Sequence, residues 1–366
     1  MTTHVWRLTL EPLGVDVAWS LLLNDGASTR AVDAGVIRDT RNEELAALDI
    51  PLRDGTSALL VPDHELQLAT LLGTRLIPPT LREELTDGAH TVYVATRGWL
   101  ANLPWEALVV DSDHRRLIEA AVVAGAMSPG IVATRTRTAA PFSPEGAGLA
   151  IVDAGPPRDA ARHDYSIYPG GLPAGLAIDL AADVVAPGTY TMSARMAGEA
   201  LTGAPWTRLL YVGHVAAGHQ DEPAATALVF QRQGEIDKLS AANWLAEPQT
   251  WPSPARVALI GCGSDDARFL EASGLPVAAV NAGAHLVTCT RWSLPADAPG
   301  DPSGPTTHLA RAVLRAHRTD RPVRALREWQ LQQLSAWRTR PTAAVSPFFW
   351  ASLATYLTPD VADDPD

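Results

Sequence analysis

The sequence predicts a mixed α/β protein in which a largely parallel sheet is covered by helices. Short apolar runs alternate with segments of helical periodicity from residue 149 onward. Such runs, apolar on both faces, suit strands of a sheet that has helices on either side. The 366 residues are 46% hydrophobic, which is enough for the cores of two ordinary domains or one large one.

The chain divides into four predicted segments. Residues 1–137 form a small α/β unit, and residues 149–358 form a second, larger unit. Residues 138–148 between them are rich in Pro, Gly and Ser and lack periodicity, which indicates a linker. Residues 359–366 are acidic and are predicted to form a frayed tail.

Hydrophobic periodicity assigns the elements of the first unit in order. Two apolar runs separated by a polar turn predict strands, and a third strand follows two helical segments. The second helical segment opens with Pro, which is favoured in a first helical turn. The predicted strands are HVWRLTL, VAWSLLL and TVYVAT, and the predicted helices are ELQLATLLGTRL and PTLREEL.

The second unit combines short buried runs with two amphipathic helices, THLARAVLRAHR and PVRALREWQLQQLSAWR. The longer helix carries four apolar side chains and one glutamine on a single face, which are Val323, Leu326, Gln330, Leu334 and Trp337. The runs predicted as strands are LAIV, RLLYV, RVALI, PVAAV and HLVTC.

Charge and cysteine content narrow the function classes. A formal net charge of −12 argues against nucleic acid as a partner. No segment has the roughly 20 consecutive apolar residues that cross a bilayer, so we expect no membrane partner. Two cysteines cannot form a disulfide framework, and a reducing cytoplasm is the expected compartment.

Polar residues follow three of the predicted strands. Asp153 follows LAIV, His214 follows RLLYV after one glycine, and Cys262 follows RVALI after one glycine. In open α/β sheets, active groups gather outside the carboxyl ends of the strands. We therefore expect these three side chains at one edge of the sheet.

A histidine and a cysteine at neighbouring strand ends can form a nucleophilic dyad. A free thiol is only a few per cent thiolate at neutral pH, and an imidazole can take its proton. The thiolate attacks a peptide carbonyl, and the resulting oxyanion needs backbone N–H donors. The predicted donors are the N–H groups of Val215 and Cys262.

Two alternatives compete with the dyad. A cysteine in an apolar context is also typical of a buried small hydrophobe. A zinc site would need His214, Cys262, His285 and Cys289 together. However, His285 and Cys289 share one predicted strand and lie about 13 Å apart, too far for one ion. We predict no metal ligand, and we interpret His219 as a solvated loop residue.

Six segments, in chain order, resemble the CHAT family of caspase-like peptidases, which are often fused to TPR repeats. LLYVGHVAAG, followed by ATALVF, resembles the histidine motif of that family, and VALIGCGSDD resembles its cysteine motif. The other segments that carry the resemblance are GWLANLPWEAL, RRLIEAAVVAGAMSPG, GLPVAAVNAGAHLVTCTRW and SPFFWASLATYL.

The resemblance implies a caspase-like three-layer α/β/α sandwich preceded by a degenerate caspase-like unit. It also implies that His214 is the general base and Cys262 the nucleophile, with no metal or organic cofactor. The family usually has glycine after the histidine, whereas this chain has Val215, which tolerates fewer backbone conformations. In the first unit, Glu106 is interpreted as structural, and Ser128 matches a serine of the family.

Acidic residues near the predicted dyad suggest a pocket for a basic side chain. Carboxylates pair well with guanidinium, so we expect cleavage after Arg, or less well after Lys, with Asp153 at the pocket floor and Asp265 next. The alternative is that Asp153, Asp265 and Asp266 are solvated loop carboxylates. Trp292 lies either in the substrate groove or in a packing role.

The predicted function is that of a cysteine endopeptidase acting on a protein substrate. A catalytically inactive interaction module is the alternative, favoured by the departure at Val215. By analogy with the family, a regulatory partner encoded nearby and a bacterial defence or cell-death role are expected.

Overall fold

The computed structural model describes residues 4–26, 28–39, 58–85, 90–153, 167–168, 171–186, 188, 191–216, 223–232, 235–261, 274–298, 301 and 304–358. Cys262, Asp265, Asp266 and His219 lie outside these residues, as does the predicted tail at 359–366. The predictions made for them are therefore not addressed by the fold described below.

The described strands form one large sheet and one small sheet. They are β1 Val5–Leu13, β2 Asp16–Asn24, β3 Thr29–Ile37, β4 His90–Thr96, β5 Ala121–Ala126, β6 Gly148–Val152, β7 Val184–Val185, β8 Arg208–Val212, β9 Val215–Ala216, β10 Ala227–Arg232, β11 Glu235–Ser240, β12 Arg256–Ile260, β13 Leu286–Thr290 and β14 Leu353–Leu357. The large sheet has eleven strands, in the order β3-β2-β1-β4-β5-β14-β13-β12-β8-β6-β7. The small sheet has three strands, in the order β11-β10-β9.

The large sheet reverses its direction at β14. Strands β6, β8, β12 and β13 are parallel, and β14 pairs with β13 in the antiparallel sense. On its other side, β14 is parallel to β5, which is parallel to β4 and through it to β1. The carboxyl ends of the two parallel sets therefore lie at opposite edges of one sheet.

We call β1–β5 the first half of the large sheet, and the parallel set β6, β8, β12 and β13 the second half. Helices cover both faces of the second half. The side chains of β6, β8 and β12 alternate between two cores, one shared with α6 and α8 and the other with α5, α9 and α10. This arrangement gives three layers. The helices are α1 Pro62–Leu76, α2 Pro79–Glu84, α3 Leu117–Ala120, α4 Pro129–Ala133, α5 Ala174–Asp179, α6 Ala194–Thr202, α7 Ala241–Ala246, α8 Leu275–Asn281, α9 Pro305–Ala316, α10 Pro322–Thr339 and α11 Pro347–Trp350.

In the first half, one face of the sheet carries most of the core. Trp6, Leu8 and Leu10 alternate with partly exposed residues along β1, as expected for a strand covered mainly on one side. Their core includes Leu68 and Leu72 of α1. The first half thus differs from the second half, in which the strands of the parallel set are buried throughout.

Most predicted elements are confirmed, including the three strands and two helices of the first unit. One predicted strand, PVAAV, is wrong because its residues form α8, which spans Leu275–Asn281. Pro276 occupies the first turn, where its missing N–H costs nothing. A short, wholly buried run gives the same periodicity signal in a helix and in a strand, so the pattern alone could not separate them.

The segment predicted as a linker is held against the second half of the molecule. Ala139 N–H donates to Gly283 O at 3.0 Å, and the Arg208 guanidinium donates to Gly146 O at 2.8 Å. The Arg256 guanidinium lies over the Phe142 ring, 3.3 Å from its centroid. Residues 138–147 lie outside regular elements but are fastened at several points. The unit boundaries proposed from the sequence stay a prediction.

The predicted apolar face of α10 is confirmed, and its glutamine has a specific partner. Val323, Leu326 and Leu334 are buried, and Gln330 Nε2 donates to Trp350 O at 2.8 Å. Trp337 Nε1 donates to the buried Glu65 carboxylate at 3.3 Å. Val323 also packs with Val122 of β5 and Leu286 of β13, so this helix contacts both halves of the sheet. Among the described helices, none is both long and apolar enough to cross a membrane.

A buried ion pair joins the two halves beside the direction reversal. The Arg291 guanidinium, just after β13, donates to both oxygens of Glu106 at 2.7 and 3.0 Å. It also donates to Ala351 O at 2.8 Å and to Leu353 O. Both side chains are only 6% exposed, so their charges compensate each other away from water. The structural role predicted for Glu106 agrees with these contacts.

We expect Glu106→Gln to lower the free energy of unfolding by about 3–5 kcal/mol, because it removes the charge that faces buried Arg291. Urea unfolding followed by tryptophan fluorescence measures the change. Glu199→Gln, the same substitution in the exposed Arg195–Glu199 pair, is the matched control and should change stability far less. Equal losses in the two variants would contradict this structural role.

Candidate active site

The ends of β8 and β12 lie side by side. The two strands are parallel, with Val212 opposite Ile260, and Gly213 N–H donates to Ile260 O at 3.0 Å. A Cβ placed on Gly261 would lie 2.5 Å from Gly213 O and 2.9 Å from Val215 Cγ2. Gly261 therefore lets the two strand ends approach closely. Cys262, which follows it in the chain, lies outside the described residues.

Tyr211 fixes the backbone of His214. Its side chain is fully buried, and its hydroxyl lies 2.7 Å from His214 O and 2.9 Å from Val229 O, so either oxygen can accept its proton. The same His214 O accepts from Val229 N–H at 3.0 Å. Since β9 and β10 also pair Val215 with Leu228, the turn that carries His214 is held on both sides.

Asp153 lies beside His214, at the end of the next strand. Its Oδ2 is 3.9 Å from His214 Nε2 and accepts from Ile167 N–H at 2.5 Å. Its own N–H donates to Val212 O at 2.9 Å. The side chain is fully buried. Asp153 is therefore not the solvated loop carboxylate that the sequence left as an alternative.

Two opposing effects act on the charge of His214. Burial lowers the pKa of His214 below its ordinary value, because desolvation disfavours the imidazolium. The Asp153 carboxylate acts in the opposite direction, since a nearby negative charge favours the imidazolium. Burial dominates, so the ring is neutral at neutral pH. A neutral ring can accept a proton, and the carboxylate stabilises the cation that forms.

Two other predicted site residues, Val215 and Trp292, are buried. Val215 begins β9 and is 8% exposed. Trp292 follows β13, but its indole N–H donates to Phe348 O at 2.9 Å and its ring packs in the core of the first half. These contacts are packing contacts, and a role for Trp292 in substrate binding stays a prediction.

Asp297 and Ser128 have local surroundings that the sequence did not reveal. The Asp297 carboxylate accepts from the N–H groups of Thr306 and Thr307 at 2.9 and 2.8 Å, and so caps α9. Ser128 follows β5, at the edge of the sheet opposite to His214. The described contacts of Asp297 are those of a helix cap, and Ser128 lies away from His214.

The zinc alternative is not supported by the placement of its histidines. His285 immediately precedes β13, at the amino ends of the parallel set, whereas His214 follows the carboxyl end of β8. The two histidines thus lie at opposite edges of the sheet. In the described ranges, no group of three or more His, Cys, Asp or Glu residues could hold a metal ion.

Two contacts of this site were missed by sequence reasoning. The Tyr211 hydroxyl is a polar group within the apolar run RLLYV, and this mismatch was the one available signal for it. The Ile167 N–H that binds Asp153 is distant in sequence and has an apolar side chain. Its backbone contact left no sequence signal.

The CHAT domain family matches residues 66–359, and the chain therefore belongs to this family. The match begins within α1 and includes β4–β14, whereas β1–β3 precede it. Among curated proteins, no sequence matches this chain significantly.

Solved structures of separase are similar to this chain. Separase in the Saccharomyces cerevisiae separase–securin complex at 3.0 Å has a TM-score of 0.54 and 8% identity. The similarity covers 98% of this chain and 30% of that one, so this chain spans less than a third of its length. A second structure of the complex, at 2.6 Å, has a TM-score of 0.38 and 10% identity over 74% of this chain and 16% of that one. The fold is thus a caspase-like α/β/α sandwich.

We expect Gly261→Ala to destabilise the protein by about 1–3 kcal/mol, because its Cβ meets backbone that cannot rotate away. Thermal unfolding and labelling of Cys262 by a thiol reagent measure the effect on the fold and on the turn. Gly130→Ala is the matched control, since its nearest neighbour would be 3.7 Å away. If Gly261→Ala is as stable as the control, the strand ends are less tightly packed than described.

Proposed function

We propose that this chain is a cysteine endopeptidase in which His214 is the general base and Cys262 the nucleophile. The observation that carries the proposal is the pairing of β8 with β12, which sets Gly213 beside Gly261. Each glycine directly precedes one of the two residues. Membership of the CHAT family and the caspase-like fold support the same chemistry.

The proposed reaction passes through an acyl-enzyme. The Cys262 thiol gives its proton to His214, and Sγ forms a bond to the scissile carbonyl carbon. The N–H groups of Val215 and Cys262 stabilise the oxyanion. The C–N bond breaks, and the leaving amine takes the proton from His214. Water then attacks the thioester, His214 takes a proton from that water, and the thiol is restored as the acid leaves.

We further propose that the substrate is a protein cut after a basic residue, with Asp153 at the pocket floor. A buried carboxylate at the strand end next to His214 is suited to a guanidinium, which can donate two hydrogen bonds to it. Asp265 is the second candidate wall, on the sequence alone. Trp292, which follows β13, is proposed to line the same substrate groove.

The biological setting is also a proposal. We place the protein in the cytoplasm, without a cofactor, in a bacterial defence or cell-death system. A peptidase of this kind requires restraint, and a regulatory partner encoded nearby would supply it. The similar separase chain was solved in a complex with securin, which supports a protein partner by analogy.

A second candidate function is an interaction module without turnover. Val215 favours it, because the family usually has glycine after the histidine and a β-branched residue restricts the backbone there. Such a module would keep the sandwich and bind a protein partner through it.

We expect Cys262→Ala to abolish cleavage of peptides and proteins, and His214→Ala to lower kcat/KM by about 10²–10⁴-fold as the proton acceptor is lost. Cleavage of a casein or peptide library, read by mass spectrometry, measures both. A thiol label adds a second readout: because Cys289 is fully buried, label taken up by the folded protein reports Cys262.

Cys289→Ala and His219→Ala are the matched controls, and both should retain activity. Cleavage by the Cys262→Ala variant would contradict the mechanism. A folded wild-type protein that labels at the rate of a free thiol and cleaves nothing would favour the interaction module.

We expect Asp153→Asn to lower kcat/KM for substrates with Arg before the cut by about ten- to a hundredfold, the usual effect of lost charge-assisted hydrogen bonds. Substrates with an apolar residue at that position should change much less. Paired fluorogenic peptides measure the ratio, and Asp297→Asn, another buried carboxylate of the second half, is the control. An equal loss of kcat/KM on all peptides would indicate that Asp153 acts on His214 and does not bind the substrate. A library preference for Asp or apolar residues would exclude the basic pocket.

A further inference from the structure

The side chain of Thr290, the last residue of β13, holds the peptide groups of Gly261. Its Oγ1 accepts from Gly261 N–H at 3.2 Å and donates to Gly261 O. Thr290 is fully buried, and Gly261 is buried as well. One hydroxyl therefore satisfies both polar backbone groups of the residue that precedes Cys262.

The Thr290 hydroxyl binds Gly261 just beyond the point where the backbone pairing of β12 with β13 ends. The pairing of β12 with β13 stops at Leu259 and Cys289. Beyond that point, the buried N–H and C=O of Gly261 need partners, because unpaired buried peptide groups are costly. An apolar side chain at position 290, such as valine or alanine, could not supply either bond.

Orientation of the Gly261 carbonyl also sets the direction of the next N–H. The described backbone contains no cis peptide bonds, and in a planar trans peptide the C=O and the following N–H point in opposite directions. The N–H that follows the Gly261 carbonyl belongs to Cys262. A hydroxyl that fixes the carbonyl therefore fixes the line along which this N–H is aimed, provided that the Gly261–Cys262 peptide is trans like the described ones.

We propose that Thr290 is a positioning residue that aims the Cys262 N–H at the oxyanion and fixes the starting point of the nucleophile. This inference rests on the proposed function. It extends that function, because it assigns Thr290 a role through the Gly261 peptide groups that its hydroxyl binds.

Thr288 offers a matched comparison on the same strand. It is also fully buried, and its hydroxyl lies 2.8 Å from His317 Nε2 and 3.2 Å from Thr355 Oγ1. Those partners are remote from Gly261. Thr288→Val thus removes buried hydrogen bonds without touching the turn, whereas Thr290→Val removes those that hold it.

Two measurements on the full chain test the proposal. The first is the rate of iodoacetamide alkylation of Cys262 across pH, followed by mass spectrometry of each cysteine. The second is kcat and KM with a fluorogenic peptide that has Arg before the cut. Thr290→Val, Thr290→Ala, Thr290→Ser and Thr288→Val are compared at equal folded fraction.

We expect Thr290→Val and Thr290→Ala to lower kcat by about ten- to a hundredfold with little change in KM, because a misaimed oxyanion donor acts on the transition state. The pH dependence of Cys262 alkylation should shift towards that of a free thiol, whose pKa is about 8.5. Thr290→Ser keeps the hydroxyl and should restore both values to within about threefold, and Thr288→Val should resemble the wild type.

Three results would overturn the assignment. The first is that folded Thr290→Ala keeps the kcat and the alkylation profile of the wild type. The second and third are that Thr290→Ser or Thr288→Val loses as much kcat as Thr290→Ala. Failure of both Thr290→Val and Thr290→Ala to fold, with Thr288→Val folded, would make the hydroxyl a requirement of the fold and would also overturn it. Failure of the proposed function looks different, because the wild type itself would then show free-thiol alkylation or Cys262→Ala would retain cleavage.

Discussion

The parallel pairing of β8 with β12 is the constraint on which the candidate site depends. Hydrogen bonds between these strands fix Val212 opposite Ile260, and the residues that follow both strands must then emerge together. Gly261 makes this close approach sterically acceptable, because a Cβ at this position would lie 2.5 Å from Gly213 O. A shift of one residue in this pairing would move His214 along the strand direction by about 3.3 Å and separate it from its partners. The register of β8 with β12, which is set by buried residues, thus determines the geometry of the site at the carboxyl ends of the two strands.

The fold was largely predictable because its information is local. Runs such as RVALI, flanked by glycine, indicate buried strands, and the face of α10 was identified down to its single glutamine. The β3 strand was missed, since its exposed pattern lacks a hydrophobic signal. The union of both halves in one sheet was not predictable either. It depends on contacts such as Glu106 with Arg291, which are 185 positions apart in the chain.

For the candidate site, the sequence located residues but not their surroundings. Strand ends pointed to Asp153 and His214, because chain position at a strand end determines the edge at which a side chain lies. Their environment depends on burial and on distant backbone groups, as with the Ile167 N–H that binds Asp153. Trp292 is a second example, since its position after a strand is compatible with either a groove or a packing role, and its described contacts lie in the core. Such properties arise only once the halves have packed.

The central position of β14 has a consequence for how the protein is made. This strand comes last in the chain among the strands of the sheet, yet it lies between β5 and β13. During synthesis, which proceeds from the amino terminus, two half-sheets emerge first, each with a bare edge. Such edges invite pairing with other chains. The nascent protein therefore passes through an interval of aggregation risk that ends only when β14 leaves the ribosome and inserts. Chaperones that cover strand edges would matter most during that interval.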